Sequence, residues 1–114
     1  MPLEVETTPN KMPLVLIVDD SRSVRSLVRN LLEKDGYAVI EANDGNMGLE
    51  AIAADKPDVV LLDVEMPHKT GLEVLAELDA ANRLFSVVMF TTLSGYDAVV
   101  DGLRRGADDY IVKP

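Results

Sequence analysis

The sequence predicts a doubly wound α/β fold, a five-stranded parallel sheet with helices on both faces. Three observations predict it. Short β-branched runs alternate with amphipathic stretches along the 114 residues, the order that builds βα units. Runs such as "VVLLD" and "VVMFT" are apolar at consecutive positions, as strands covered on both faces are. Acidic, hydroxyl and basic residues stand where the runs stop, and open parallel sheets bind ligands beyond those carboxyl ends.

The elements follow in order. Residues 1–12 hold prolines and threonines with little periodicity and read as a flexible arm, leaving 13–114 as a single domain of ordinary size. "LVLIV", from Leu14, is the first strand. The helix "SRSVRSLVRNLLEKDG" has Val24, Leu27, Val28, Leu31 and Leu32 on one stripe. Asp20-Ser21 can cap its start, and Gly36 stops it after Lys34 and Asp35. "YAVIEA" ends in Glu41 and Ala42 and reads as a strand at the sheet's border. "DGNMGLEAIAAD" is the second helix, "PDVVLLD" the third strand and "TGLEVLAELDA" the third helix. Between these last two, "MPHKTG" turns the chain over the sheet edge, and His68 within it reads as solvent-exposed. "SVVMFTT" is the fourth strand, "SGYDAVVDGLRRGA" the fourth helix, with Arg104-Arg105 at its carboxyl end, and "DYIVK" the fifth strand. No fifth helix follows, although the family resemblance carried by the strand-end residues implies one, so the expectation is a truncated sequence. A natural stop there would uncover apolar sheet surface and favour association into a dimer or swapping.

Composition narrows the function. There is no cysteine, which excludes disulfides, thiolate metal sites and cysteine nucleophiles. The net charge of −9 repels nucleic acid and anionic lipid, so no direct nucleic-acid or membrane role is expected. No apolar run approaches the roughly 18 residues of a membrane span. "MPLEVETTPNKMP" lacks the basic-then-apolar order of a secretory signal, and a cytoplasmic location is expected.

The chemistry lies at the strand ends. The first strand ends in Asp19 and Asp20, the third in Asp63, the fourth in Thr91 and Thr92, the fifth in Lys113. Taken singly, each has an ordinary meaning: a helix cap, a strand-end acid, a β-former, a solvated lysine. Together on one rim they form a constellation. Two carboxylates about 4 Å apart repel by roughly 4 kcal/mol at an effective dielectric near 20, so three need protons or a cation. Oxygen donors without His or Cys suit Mg²⁺, with Mn²⁺ an acceptable substitute. Asp63 would then be a metal-polarised nucleophile, and Thr91 and Lys113 would receive the oxygens of the group it attacks.

At these residues the sequence resembles the receiver domain of bacterial two-component response regulators, the family that includes the chemotaxis regulator. The resemblance runs from Leu14 to Pro114 and rests on "VDDS", "LLDVEMPHKTG", "VVMFTT" and "GADDYIVKP" in family order and spacing. It implies the flavodoxin-like strand order 2-1-3-4-5. It implies that Asp63 accepts a phosphoryl group from a sensor histidine kinase or phosphotransfer protein. Asp20, Asp63 and the backbone carbonyl of Glu65 would hold Mg²⁺, with Asp19 acting through water. Lys113 would pair with the phosphoryl group, Thr91 would hydrogen-bond it, and Tyr110 would turn inward with Thr91. A cis Lys113–Pro114 bond is also implied. The output would be an altered surface read by a downstream effector, with no chemistry beyond self-phosphorylation and self-dephosphorylation. Glu65 and Thr92 are expected to modulate phosphoryl lifetime, Glu65 by repelling or orienting the attacking water and Thr92 by narrowing access to Asp63.

The competing reading is a Mg²⁺-dependent phosphohydrolase working through an aspartyl-phosphate. Such enzymes of the haloacid dehalogenase type place Asp-x-Asp on the first strand, whereas this chain has an adjacent pair there and its candidate nucleophile on the third.

Overall fold

A computed structural model describes residues 12–78, 83–92 and 96–113. They form β1 (Leu14–Val18), α1 (Arg22–Lys34), β2 (Ala38–Ala42), α2 (Gly45–Asp55), β3 (Val59–Asp63), α3 (Gly71–Ala76), β4 (Ser86–Thr91), α4 (Tyr96–Arg104) and β5 (Asp109–Val112). The strands make one parallel sheet in the order β2-β1-β3-β4-β5. β2 is therefore a border strand, and the order reverses between β1 and β3, the kind of switch point at which such sheets bind ligands.

Consecutive apolar residues in β1 and β3 serve two cores, because side chains alternate across a strand. Leu16, Val18, Val60, Leu62, Val87 and Met89 pack with Val74 and Leu75 of α3, Val99 of α4 and, less deeply, Leu49 and Ile52 of α2. On the other face Val15, Ile17, Val39, Leu61 and Phe90 meet Val28 of α1, flanked by Val24 and Leu32. Among the described residues, three helices cover one face and one covers the other.

The apolar stripe of α1 is wider than the surface it covers. Val24, Val28 and Leu32, spaced four apart, face the sheet, while Leu27 and Leu31 remain 47% and 51% exposed. The cap is Ser21, whose Oγ accepts from the Val24 amide at 3.3 Å, which leaves the Asp20 carboxylate out of the capping role. Gly36, at φ +92°, closes the helix in a conformation costly to side chains with a Cβ. In α3 the described helix ends at Ala76; the Glu77 and Leu78 amides bond to Val74 and Leu75, three residues back, which tightens the last turn. The expected extension through Asp79 and Ala80 lies outside the described residues, as do most of the arm and the Lys113–Pro114 bond.

β5 is the least covered strand, with Tyr110, Ile111 and Val112 exposed. No helix among the described residues is long and apolar enough to cross a membrane.

Candidate functional site

The strand ends deliver their side chains to one point. Asp19 extends β1 by one more ladder bond, its amide donating to the Ala42 carbonyl at 3.1 Å, and its side chain is fully buried. Its Oδ1 accepts from the Ser21 amide at 2.8 Å, which turns the chain into α1 and leaves Asp20 exposed at the rim. Asp63 is the last residue of β3, in register with Phe90 of β4, and is 2% exposed. Lys113 follows β5 directly, anchored by its amide to the Thr91 carbonyl at 2.7 Å.

Carboxylate oxygens of Asp19, Asp20 and Asp63 lie within 4.8 Å of one another. The Lys113 Nζ sits 2.8 Å from Asp19 Oδ2 and 3.0 Å from Asp63 Oδ1, and 5.5 Å from the centre of the Phe90 ring, where the ring's negative face attracts a cation. Asp63 Oδ1 also accepts from the Glu65 amide at 3.2 Å. The other oxygen, Oδ2, is buried with no hydrogen-bond partner among the described residues. The two oxygens thus have different tasks: Oδ1 is held in place and Oδ2 is left open.

Burial, with the charge of Asp19, pushes the Asp63 carboxyl up to about 6 against the opposing pull of Lys113 and the Glu65 amide. Burial would by itself lower the Lys113 ammonium, but its hydrogen bonds to Asp19 and Asp63 outweigh this and its pKa is raised. Three carboxylates against one ammonium leave a negative excess that an oxygen-seeking divalent cation would neutralise. The donor set, three clustered carboxylates with no nitrogen or sulfur ligand, fits such an ion.

Thr91 is buried at the same rim, and its hydroxyl donates to the Thr92 carbonyl at 3.0 Å. Thr92 and Glu65 are exposed beside the site and Tyr110 is 41% exposed on β5; His68 is exposed, as expected from the sequence. His68 has φ +71° and is the centre of a three-residue turn closed by the Lys69 amide on the Pro67 carbonyl at 2.8 Å. Lys69 ion-pairs with Glu77 and ties this loop to α3. Gly71 brings α3 against the end of β3: a Cβ there would stand 2.2 Å from the Asp63 carbonyl oxygen. Glycine is needed there for close approach.

Sequence reasoning missed a brace behind the acids. Arg25 donates from Nη1 to the Asp19 carbonyl at 2.7 Å and from Nε to Glu41 at 2.9 Å. Arg29 reaches the same Glu41 and the Val39 carbonyl. The available signal was arginines four apart on α1 together with an acid at the end of a border strand.

Residues 15–114 match the family model of the response regulator receiver domain. The chain belongs to that family. Receiver domains are signalling modules of two-component systems, and switching by phosphorylation is their general role. This receiver is 43% identical over 104 residues to the response regulator MprA of Mycolicibacterium vanbaalenii, covering 90% of this chain and 45% of that protein. Against MprA of Mycobacterium tuberculosis it is 42% identical over 100 residues, covering 88% and 44%. It thus spans under half the length of these relatives. Among solved structures it is similar to the chemotaxis protein CheY4 of Vibrio cholerae, with TM-score 0.82, 34% identity and 91% and 88% coverage. It is also similar to NtrX of Brucella abortus, with TM-score 0.83, 32% identity and 91% and 24% coverage.

Proposed function

We propose that this receiver accepts a phosphoryl group on Asp63 Oδ2 from the phosphohistidine of a sensor kinase or phosphotransfer protein, with Mg²⁺ as cofactor. One observation carries the reading: a buried carboxylate clustered with two further carboxylates, its Oδ1 held by a lysine ammonium and its Oδ2 without a hydrogen-bond partner among the described residues. Asp20, Asp63 and the Glu65 carbonyl would hold the ion, with Asp19 supporting it through water. When bound, Mg²⁺ supplies charge neutralisation for the equatorial phosphoryl oxygens.

The protein's own residues do the rest. With its carboxyl near 6, Asp63 is mostly ionised at neutral pH. Its Oδ2 attacks phosphorus as the donor's N–P bond breaks, the electron pair leaving with the imidazole nitrogen. Oδ1, held by Lys113 and the Glu65 amide, keeps the carboxylate from rotating. Lys113 then turns one of its N–H donors to the new phosphoryl oxygens, and Thr91 exchanges its bond to the Thr92 carbonyl for one of them. Tyr110 turns inward with Thr91, and residues around β4 and β5 present a different surface. We assign the role to residues 13–114, with an effector domain or protein as the reader. Glu65 and Thr92 set how fast water reaches the phosphoryl group.

The test is incubation with acetyl phosphate or beryllofluoride, with and without Mg²⁺, on wild type and Asp63→Asn. A spectral change that requires both the ion and Asp63 is expected. Catalytic turnover of simple phosphomonoesters would overturn the reading in favour of a phosphohydrolase.

A further inference from the structure

We propose that Arg25 is a positioning residue of the acidic site: it fixes the Asp19–Asp20 peptide and so aims the Asp20 carboxylate at the cation, while Glu41 holds the Arg25 guanidinium in place. This rests on the dication reading above. Asp20 is exposed at the rim, the least enclosed of the three acids. Its direction depends on the backbone that carries it. Asp19 is fixed on one side by its amide on the Ala42 carbonyl, and Ser21 on the other by its amide on Asp19 Oδ1. Among the described residues, the peptide between Asp19 and Asp20 is held by the Arg25 side chain, through Nη1 on the Asp19 carbonyl at 2.7 Å.

The guanidinium is a planar fork, and here its second prong is used. Nε meets Glu41 Oε1 at 2.9 Å, and Glu41 lies in register with Ile17 of β1, two residues before Asp19. The fork therefore links the end of β1, the end of β2 and the first turns of α1 into one frame. A lysine carries the charge without the fork. Arg25 is only 13% exposed, whereas Arg29 is 35% exposed, shares Glu41 and reaches Val39 instead of Asp19. Arg29 is thus an internal control that removes a Glu41 partner but no contact with the acid turn.

Residues that orient metal ligands from behind typically change metal affinity by about 10-fold to 100-fold. Calorimetric Mg²⁺ titration of wild type, Arg25→Ala, Arg25→Lys and Arg29→Ala should show affinity falling at least about 10-fold in Arg25→Ala. Arg29→Ala should stay near wild type. Urea midpoints in EDTA and backbone amide shifts of Asp20 and Ser21 in EDTA separate positioning from folding. The Asp20 amide should move in Arg25→Ala and stay in Arg29→Ala. Should Arg25→Ala not fold, Arg25→Lys carries the test, with Mg²⁺ affinity below wild type as the supporting result. Wild-type affinity in a folded Arg25 variant, whatever its urea midpoint, overturns the positioning role and leaves the dication reading intact. No Mg²⁺ uptake by wild type overturns the dication reading instead, and the role with it.

Discussion

Replacing Asp63 by Asn should stabilise the metal-free protein at neutral pH while abolishing its phosphorylation. The wild-type carboxyl rises from 3.8 to about 6 on folding, chiefly through burial and secondarily through Asp19. In the metal-free protein between pH 4 and 6, the folded state holds a proton that the unfolded chain has released. Stability therefore falls as pH rises through that window and levels off above it. Two pH units at about 1.4 kcal/mol each set a ceiling of ~3 kcal/mol for the cost of ionised Asp63. An amide of the same shape carries no such cost, so Asp63→Asn should exceed wild type by about 1–3 kcal/mol in EDTA at pH 7.5 and by little at pH 4. Mg²⁺ at a hundred times its dissociation constant should return about 2.7 kcal/mol to wild type and less to the variant. Urea unfolding at several pH values, with EDTA or Mg²⁺, measures all of this. A variant no more stable than wild type at pH 7.5, or a difference that does not vary with pH, refutes the reasoning.

The remaining predictions concern the frame and the access path. Gly71→Ala puts a methyl into the Asp63 carbonyl and should destabilise by more than about 2 kcal/mol in urea, since the contact is with backbone that cannot yield cheaply. Asp108 accepts from the Val87 amide and from Arg83, each at 2.8 Å, and these two hold its carboxyl below the usual range. Its contribution is present above about pH 4 and lost as acid protonates it. Asp108→Ala should cost about 1–2 kcal/mol at pH 7, with the gap to wild type closing below pH 4. Thr92→Ala should shorten the lifetime of phosphorylated Asp63, followed as loss of radiolabelled phosphate after removal of the donor. A lifetime equal to or longer than that of wild type would show that the Thr92 side chain does not narrow access.

The fold was legible because each local signal agreed with its neighbours. Consecutive apolar residues in β1 and β3 fitted strands buried on both sides, and Gly36 marked a helix end. The acids were legible because carboxylates are costly beside buried strands and their positions matched successive strand ends. Less legible was how far a helix is covered: Leu27 and Leu31 belong to the apolar stripe of α1, yet the sheet beneath reaches only Val24, Val28 and Leu32. Periodicity gives a stripe's direction and leaves the width of its partner open. The cap was legible as a dipeptide, Asp20-Ser21, and the structure gives the duty to Ser21.

By itself the sequence determined the order of strands and helices, the residue types at the carboxyl edge and the all-oxygen character of the site, because these depend on local pattern and side-chain chemistry. Only the tertiary structure decided that Asp63 Oδ2 stays open while Oδ1 is gripped, that Lys113 spans Asp19 and Asp63 above Phe90, and that Arg25 and Glu41 brace the acid turn. Those contacts join residues far apart in the chain and depend on angles and fractions of an ångström. Hydrogen bonds and ion pairs are directional at that scale, and no periodicity in a sequence records it.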